Sequence, residues 1–388
     1  MKICVIANGY PSQKDPQRGC FELDQAKALQ KEGHEISILY VDGAFRMYWR
    51  KIGVTKMLKE GIHVYGLFLF PLLPLKKILP FSLYMRFRSY LFLRTFETYI
   101  KENGLPDVIY AHYMYNIASV VTIREKYNIP IVGIEHWSVL NQPALSDDNY
   151  YMGKIAYNGI DKLLAVSNSL AKSIRKKFAK ESTVVNDMVG EEFANAEMID
   201  NTRQNKFRFL AIGSLIPRKG FDLLIEAFEK AKLQEKDCEL IIIGGGEEKE
   251  NLQKQIDSLS LSNHVKLVGR KIKKEIISYL RESNVFVLSS HVETFSVVCI
   301  EALTIGVPVI ATACGGPEEF IQKTDGLLVK PGSVDELSSA MLQMYQNYKD
   351  YDRLAISEDC KRRFSPSVIA KQLTEIFEDV VDSRRKTN

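Results

Sequence analysis

The chain has 388 residues, of which 46% are hydrophobic and 26% charged, with a formal net charge of +4. This is the composition of a folded protein of two or three domains, and it excludes a largely disordered chain. No uninterrupted apolar run reaches the roughly 18 residues needed to cross a bilayer, which excludes a spanning helix. The six cysteines (Cys4, Cys20, Cys238, Cys299, Cys314, Cys360) show no C-x-x-C pair and no metal-ligand spacing. They read as free thiols in a reducing compartment, and the expected location is cytoplasmic.

In chain order, short β-type runs alternate with amphipathic helical runs, which is the pattern of an α/β protein with parallel sheets. The first apolar run, "KICVIA", stops before Asn8, too short for a signal sequence and right for a first strand. A helix "FELDQAKALQKEG" ending at Gly33 and a strand "HEISILYV" follow. Between Phe45 and Lys101 the chain carries eleven Lys or Arg against two Glu, with aromatic and aliphatic residues interleaved. Pro71, Pro74 and Pro80 interrupt this stretch, so it is not one long helix. Two readings stay open for it. Its apolar residues fill a core while the cations are solvated, or it lies on anionic lipid through residues that include Arg86, Arg88 and Arg94.

Strand "DVIYAHY", helix "ASVVTIREKYN", strands "IPIVGIEH" and "KLLAVS", and a helix capped by Ser167 complete the first series. The polar stretch from Glu197 to Lys206 reads as an interdomain linker, dividing the chain into 1–200 and 201–388. The second series runs "FRFLAIGSL", "GFDLLIEAFEKAKLQ", "CELIIIGGG", "EKENLQKQIDSLS", "HVKLVGR", "EIISYLRES", "NVFVLSS", "SVVCIEALTIG", "VPVIAT", "GLLVKP" and "VDELSSAMLQMYQNY", with a terminal helix after "FSPS". Two βαβ domains are expected, with ligands at the C-terminal ends of their strands.

Chemistry concentrates at those ends. Glu293 follows a strand, and Glu301 lies in the next helix among Cys299, Ile300, Ala302 and Leu303, where a buried carboxylate needs a partner. Backbone N–H groups near Phe295, Ser296 and Val297 open this helix and favour an anion. Carboxylates accept hydrogen bonds from paired hydroxyls, so a polyhydroxylated ligand with an anionic middle suits the set. Arg218 and Lys219, in "PRKG" between strand and helix, offer a forked donor beside a point charge, suited to a diphosphate. The "GGGEEK" run has Lys249 where a dinucleotide fingerprint needs its third glycine, so Gly244 and Gly246 read as close-approach or turn glycines. "CGGPEE" fits a turn or another anion-facing helix start. Gly19 precedes a helix, and His112 and His136 each end a strand, with His136 the stronger candidate. No Walker loop, H-E-x-x-H, G-x-S-x-G or D-x-D motif occurs, and no metal is expected.

Taken together, "GSLIPRKGFDLLIEAF", "IIGGGEEKENL", "VKLVGR", "VFVLSSHVETFSVVCIEALTIGVPVIATACGGPEEFI" and "DGLLVKPGS" resemble family 4 of the retaining glycosyltransferases, of the GT-B fold. "GCFELDQAKALQKEGHEISIL", "DVIYAHY", "IVGIEHW" and "AVSNSL" agree more loosely. The resemblance implies two Rossmann-like domains facing across a cleft, with the C-terminal helix packing back on the first. It implies a nucleotide-diphosphate sugar donor on the second domain and a glycan or polyprenyl-linked acceptor on the first, without cofactor or metal. By family pattern Arg218 and Lys219 hold the diphosphate, Glu293 the sugar hydroxyls and Glu301 the ribose. Gly213, Gly244 and the backbone from Phe295 to Val297 also belong to the donor site, Gly19 approaches the diphosphate, and His136 contacts the transferred sugar. Ser296 departs from the family's E-x-F-G, which has glycine at that place. The implied role is cell-surface polysaccharide assembly at the cytoplasmic membrane face, with nucleic acid not a partner. A non-catalytic nucleotide-binding subunit and a sugar-nucleotide epimerase or phosphorylase of the same fold are the alternatives.

Overall fold

The structure is a computed structural model that describes residues 1–43, 51–69, 79–197 and 206–387. Residues 45–50 and 70–78 of the basic segment, with Pro71 and Pro74, lie outside the described residues, as does most of the expected linker. The chain forms two compact units, Met1–Asn186 with Ser367–Asn388, and Asp187–Pro366.

The first unit is built on a sheet of eight strands: β1 (Lys2–Ile6), β2 (Glu35–Asp42), β3 (Gly53–Lys59), β4 (Ile62–Phe68), β5 (Val108–His112), β6 (Ile131–Glu135), β7 (Lys162–Ala165) and β8 (Thr183–Val184). Their order is β3-β4-β2-β1-β5-β6-β7-β8. All neighbours are parallel except β3, which is antiparallel to β4 at the edge, where the sequence pattern had suggested parallel strands alone. Strands β5 and β6 are buried along their whole length, as continuous apolar runs covered on both faces must be. The helices are α1 (Cys20–Lys31), α2 (Phe81–Asn103), α3 (Met114–Tyr127), α4 (Asp147–Asn158) and α5 (Asn168–Phe178). The Ser167 hydroxyl caps α5 by accepting the Leu170 N–H at 3.1 Å, as expected from the sequence.

Helix α2 settles part of the basic segment. Met85, Leu91, Phe92, Phe96 and Tyr99 recur at helical spacing and are buried, so these apolar residues fill the core. Arg88 is buried with them, which corrects its assignment as a lipid-facing cation. Arg86 and Arg94 are exposed.

In the second unit a short helix α6 (Glu191–Ala194) precedes six strands: β9 (Phe207–Ile212), β10 (Cys238–Ile243), β11 (Val265–Leu267), β12 (Val285–Leu288), β13 (Val309–Thr312) and β14 (Gly326–Val329). They form one all-parallel sheet in the order β11-β10-β9-β12-β13-β14. Helices α7 (Phe221–Lys230), α8 (Lys249–Ser258), α9 (Lys273–Arg281), α10 (Val297–Thr304), α11 (Val334–Asn347) and α12 (Arg353–Phe364) complete it. Phe209, Phe228, Leu240, Val285 and Met341 are centres of its core. The unit begins at Asp187 rather than at residue 201.

The last helix, α13 (Pro366–Thr387), clusters with the first unit, as the family resemblance implied, although the sequence division counted it with residues 201–388. Phe377 meets the Tyr110 ring at 5.0 Å, the Thr374 hydroxyl lies 2.8 Å from His34 Nε2, and Arg384 donates to Asp161 at 2.9 Å.

In each sheet the strand order reverses once near the middle. Chain direction switches between β1 and β5 in the first and between β9 and β12 in the second. Loops at such switch points diverge and leave a crevice at the C-terminal strand ends.

Candidate active site

At the switch point of the second sheet, the loops after β9 and β12 are fastened together residue by residue. The backbone N–H of His291 donates to the Arg218 carbonyl at 2.9 Å, and the Ser289 hydroxyl donates to the Lys219 carbonyl at 2.9 Å. Arg218 Nη1 donates to the Val292 carbonyl at 2.7 Å. Gly220 has φ +60°, and a Cβ there would stand 2.4 Å from the Ser289 carbonyl oxygen, so only glycine allows this approach. The "PRKG" turn is thereby pressed onto the "SSHVE" loop.

The result is a charge cluster. Lys219 Nζ donates to Glu293 Oε1 at 2.5 Å, the Ser290 hydroxyl donates to the same oxygen at 2.6 Å, and Arg218 Nη1 lies 3.7 Å from Glu293 Oε2. The resemblance assigned Lys219 to the diphosphate and Glu293 to the sugar hydroxyls of one donor, and the structure places the two side chains in direct contact. Glu293 is buried rather than an open loop acid, and its own N–H donates to the Cys314 carbonyl at 3.0 Å. Sequence reasoning missed Ser290 and Thr312, whose hydroxyl fixes the Ser290 carbonyl at 2.6 Å. The only local signal was a pair of serines at a strand's C-terminal end.

Helix α10 opens beside this cluster. Ser296 is its N-cap residue with φ +87°, a left-handed conformation that a side chain adopts only at a cost. This accounts for glycine as the family residue there. The Ser296 hydroxyl donates to Cys299 Sγ at 3.3 Å instead of capping the helix. Val297 starts the helix and Glu301, one turn on, is buried. The Phe295 side chain is in the core, its ring 4.9 Å from Phe320 and 5.6 Å from Phe364, so only its backbone belongs to a site.

Gly213 and Gly244 have packing reasons for being glycine. A Cβ on Gly244 would sit 1.9 Å from the Gly213 carbonyl oxygen, and one on Gly213 would be 3.3 Å from the Phe221 ring. Gly316 passes so close to Phe295 that a Cβ would fall 2.5 Å from its Cα. Glu318 takes the Gly315 N–H at 2.9 Å, so "CGGPEE" is a turn satisfied by its own acid.

In the first unit, Gly19 and His136 occupy the C-terminal edge of the sheet. Gly19 caps α1 with φ +71°, and a Cβ would lie 2.2 Å from the Gly9 carbonyl oxygen. His136 follows β6, with its Nε2 3.2 Å from His112 Nδ1 and the two rings parallel at 5.3 Å. Burial, reinforced by His136, holds His112 well below the usual imidazole range, so it is neutral. The adjoining Glu135 is fully buried, and burial lifts its carboxyl to about 7.

Such a set binds an anion and hydroxyls. Two cations, a helix start and buried carboxylates stand at the second sheet's switch point. Among the described residues no three His, Cys, Asp or Glu side chains form a metal-holding group.

Residues 194–358 match the profile of the family described as Glycosyl transferases group 1, and residues 23–186 that of Glycosyltransferase Family 4. The putative teichuronic acid biosynthesis glycosyltransferase TuaC of Bacillus subtilis is 28% identical, over 88% of each chain. An uncharacterized glycosyltransferase of Methanocaldococcus jannaschii is 27% identical, over 73% of this chain and 78% of the other. Among solved structures, sucrose-phosphate synthase from Thermosynechococcus elongatus superposes with a TM-score of 0.78 at 19% identity, covering 98% of this chain and 99% of the other. HepE of Anabaena, solved in complex with UDP-glucose, gives a TM-score of 0.74 at 20% identity, covering 98% of this chain and 100% of the other. At such identities these likenesses establish the shared fold.

Proposed function

The chain belongs to glycosyltransferase family 4, with the GT-B fold, and from this we propose that it is a retaining, metal-independent hexosyltransferase. In this reading it moves a sugar from a nucleotide-diphosphate donor to a glycan or lipid-linked acceptor in cell-surface polysaccharide assembly. The observation that carries the reading is the Arg218–Lys219–Glu293 cluster at the β9/β12 switch point. HepE, of the same fold, is solved with UDP-glucose, and the name of TuaC refers to a teichuronic acid pathway.

The chemistry follows from the charges. Breaking the bond between anomeric carbon and phosphate oxygen leaves negative charge on the diphosphate. Arg218, Lys219 and the N–H groups at the start of α10 stabilise that charge, each such donor contributing about 2.7–4 kcal/mol at the transition state. Glu293 accepts hydrogen bonds from the transferred sugar, and Glu301 from the ribose. His136, in the first unit, contacts the sugar, and neutral His112 stacked on it keeps that ring in place. The acceptor hydroxyl attacks from the face the diphosphate leaves, and a leaving phosphate oxygen takes its proton.

The acceptor is proposed to be membrane-held. No helix among the described residues is long and apolar enough to cross a membrane. On α2, however, Leu83, Arg86, Tyr90 and Arg94 form one exposed stripe at helical spacing, with apolar and cationic residues alternating. Such a stripe suits the surface of an anionic bilayer, each cation adding about 1 kcal/mol. Neutralising Arg86 and Arg94 should release the protein from anionic liposomes at low salt. Retention in the supernatant before any mutation defeats the membrane part alone.

The function itself is tested with labelled nucleotide sugars and a set of glycan and polyprenyl-linked acceptors, in chelator. An α-linked product from an α-linked donor is expected, and its anomeric proton coupling decides retention. An inverted product, or activity abolished by the chelator, overturns those parts of the reading.

A further inference from the structure

Among the described residues, Arg88 is a buried cation without an acid. It is 9% exposed, and its Nε donates to the Ser119 hydroxyl at 3.1 Å while Nη2 donates to Asn116 Oδ1 at 2.6 Å. Its guanidinium lies over the rings of Phe92 and Tyr115 at 5.2 and 5.3 Å. Among the described residues it has no carboxylate within ion-pair distance. Burial is the largest influence on it and opposes its charge; the Tyr84 and Tyr115 hydroxyls, Tyr84 through a hydrogen bond, support it in part, and Arg18 adds repulsion. A buried guanidinium so placed lacks an anion.

The surrounding polar atoms lack the same thing. Asn116 Oδ1 is taken by Arg88, which commits its amide nitrogen as a donor, and that nitrogen is buried without an acceptor. Arg18 pairs with Asp42 at 3.1 Å, yet its Nε is also buried without an acceptor. Of the acids nearby, Glu22 accepts the Asn8 N–H at 3.0 Å and Glu135 is held at about 7 by burial. Beside these donors stands an aromatic shelf. Tyr115 stacks on Tyr113 at 5.7 Å and meets Trp137 edge-on at 6.2 Å, and Tyr113 lies 5.1 Å from His136. Tyr113 starts α3 with φ +67°, a strained conformation for a bulky residue and one that clusters at ligand clamps.

We propose that the first unit carries a subsite for an anionic sugar, a glycoside bearing a carboxylate or phosphate, with its oxyanion on Arg88, Arg18 and Asn116 and its ring on the Tyr113–Tyr115–Trp137 shelf. This rests on the reading of that unit as the acceptor-binding one. Charge-assisted hydrogen bonds to a desolvated guanidinium discriminate an anion from its neutral isostere by at least about tenfold.

The test is ligand-observed NMR titration with methyl glucuronide, glucose 6-phosphate and methyl glucoside, in saturating UDP so that Arg218 and Lys219 are occupied. At least one anionic probe should bind about tenfold or more tightly than methyl glucoside, and the stronger of the two identifies carboxylate or phosphate as the group recognised. Arg88→Gln should abolish the difference and leave UDP affinity unchanged. Equal binding of all three probes by wild type, or a difference that survives in Arg88→Gln, overturns the subsite. The wild-type comparison decides even where the variant does not fold. UDP affinity, measured separately, reports on the donor reading, so an absent anion preference with intact UDP binding defeats the subsite alone.

Discussion

Replacing Glu293 by Gln removes one charge and little else. The amide keeps the side chain's size and can still accept from Ser290, but Lys219 loses the carboxylate 2.5 Å away and Arg218 the oxygen at 3.7 Å. The Lys219 and Glu293 side chains are only 14% and 10% exposed, so water replaces the lost partner poorly. Breaking a pair this buried costs about 3–5 kcal/mol, and the remaining amide acceptor puts the loss near the lower value. For a domain of this size, about 3 kcal/mol lowers Tm by on the order of 6–12 °C. The same argument makes the variant respond more to ligand. A nucleoside diphosphate replaces the missing negative charge beside Lys219, so saturating UDP, ADP or GDP, whichever binds, should raise the Tm of Glu293→Gln by more than that of wild type. Scanning calorimetry with and without nucleotide measures both effects. A variant that melts with wild type, or gains less from nucleotide, refutes the reasoning.

Arg218→Met should lower kcat by roughly a hundredfold or more with the fold intact, as shown by circular dichroism; near-normal turnover removes Arg218 from leaving-group stabilisation. Ser296→Gly relieves the φ of +87° and should raise stability by up to about 1 kcal/mol, once the greater chain entropy of glycine is counted; a lower Tm contradicts the strain. Glu135→Gln tests the buried acid through pH. A carboxyl lifted to about 7 when folded binds its proton more tightly in the native state than in the unfolded one, so wild type loses stability as pH rises from about 4.5 through 7. The variant should therefore gain on wild type by up to about 3 kcal/mol at pH 8 and by nothing below pH 4.5. A pH-independent difference in urea unfolding rules this out.

Strand and helix order in the second half was legible because most βα units there carry a short apolar run, a glycine-bearing turn and an amphipathic helix in sequence; the β12–α10 unit, with no glycine in its turn and a helix buried on nearly every face, is the exception. The "RKG" and "VETFS" stretches were legible as site loops for the same reason: they follow strands. What linear reading could not give is that Lys219 and Glu293, 74 residues apart, neutralise each other, because their meeting depends on β9 lying beside β12. Departure from glycine at Ser296 was visible in the letters, and its left-handed backbone only in space. Helix α2 was hidden by its own charges. Met85, Arg88, Phe92, Phe96 and Tyr99 fall on one inward face, but the dense arginines drew the reading toward a surface, and Arg88 proved to face inward. The β3–β4 hairpin was missed because β3 is a half-exposed edge strand that mixes lysines with apolar residues. Helix α12 was missed because only Ile356, Cys360 and Phe364 mark its buried face among charged residues.

Hydrogen–deuterium exchange with a bound donor locates the site without assuming the acceptor or the linkage. Each of a panel of nucleotide-diphosphate sugars is added to the protein at saturation, and amide protection is mapped by peptide. For the donor that binds, the account predicts protection concentrated in the loop from Gly213 to Gly220 and from Ser289 through the first turn of α10, where the two fastened loops and the helix start present their N–H groups. Protection confined to other segments, or no protection with any donor of the panel, contradicts it.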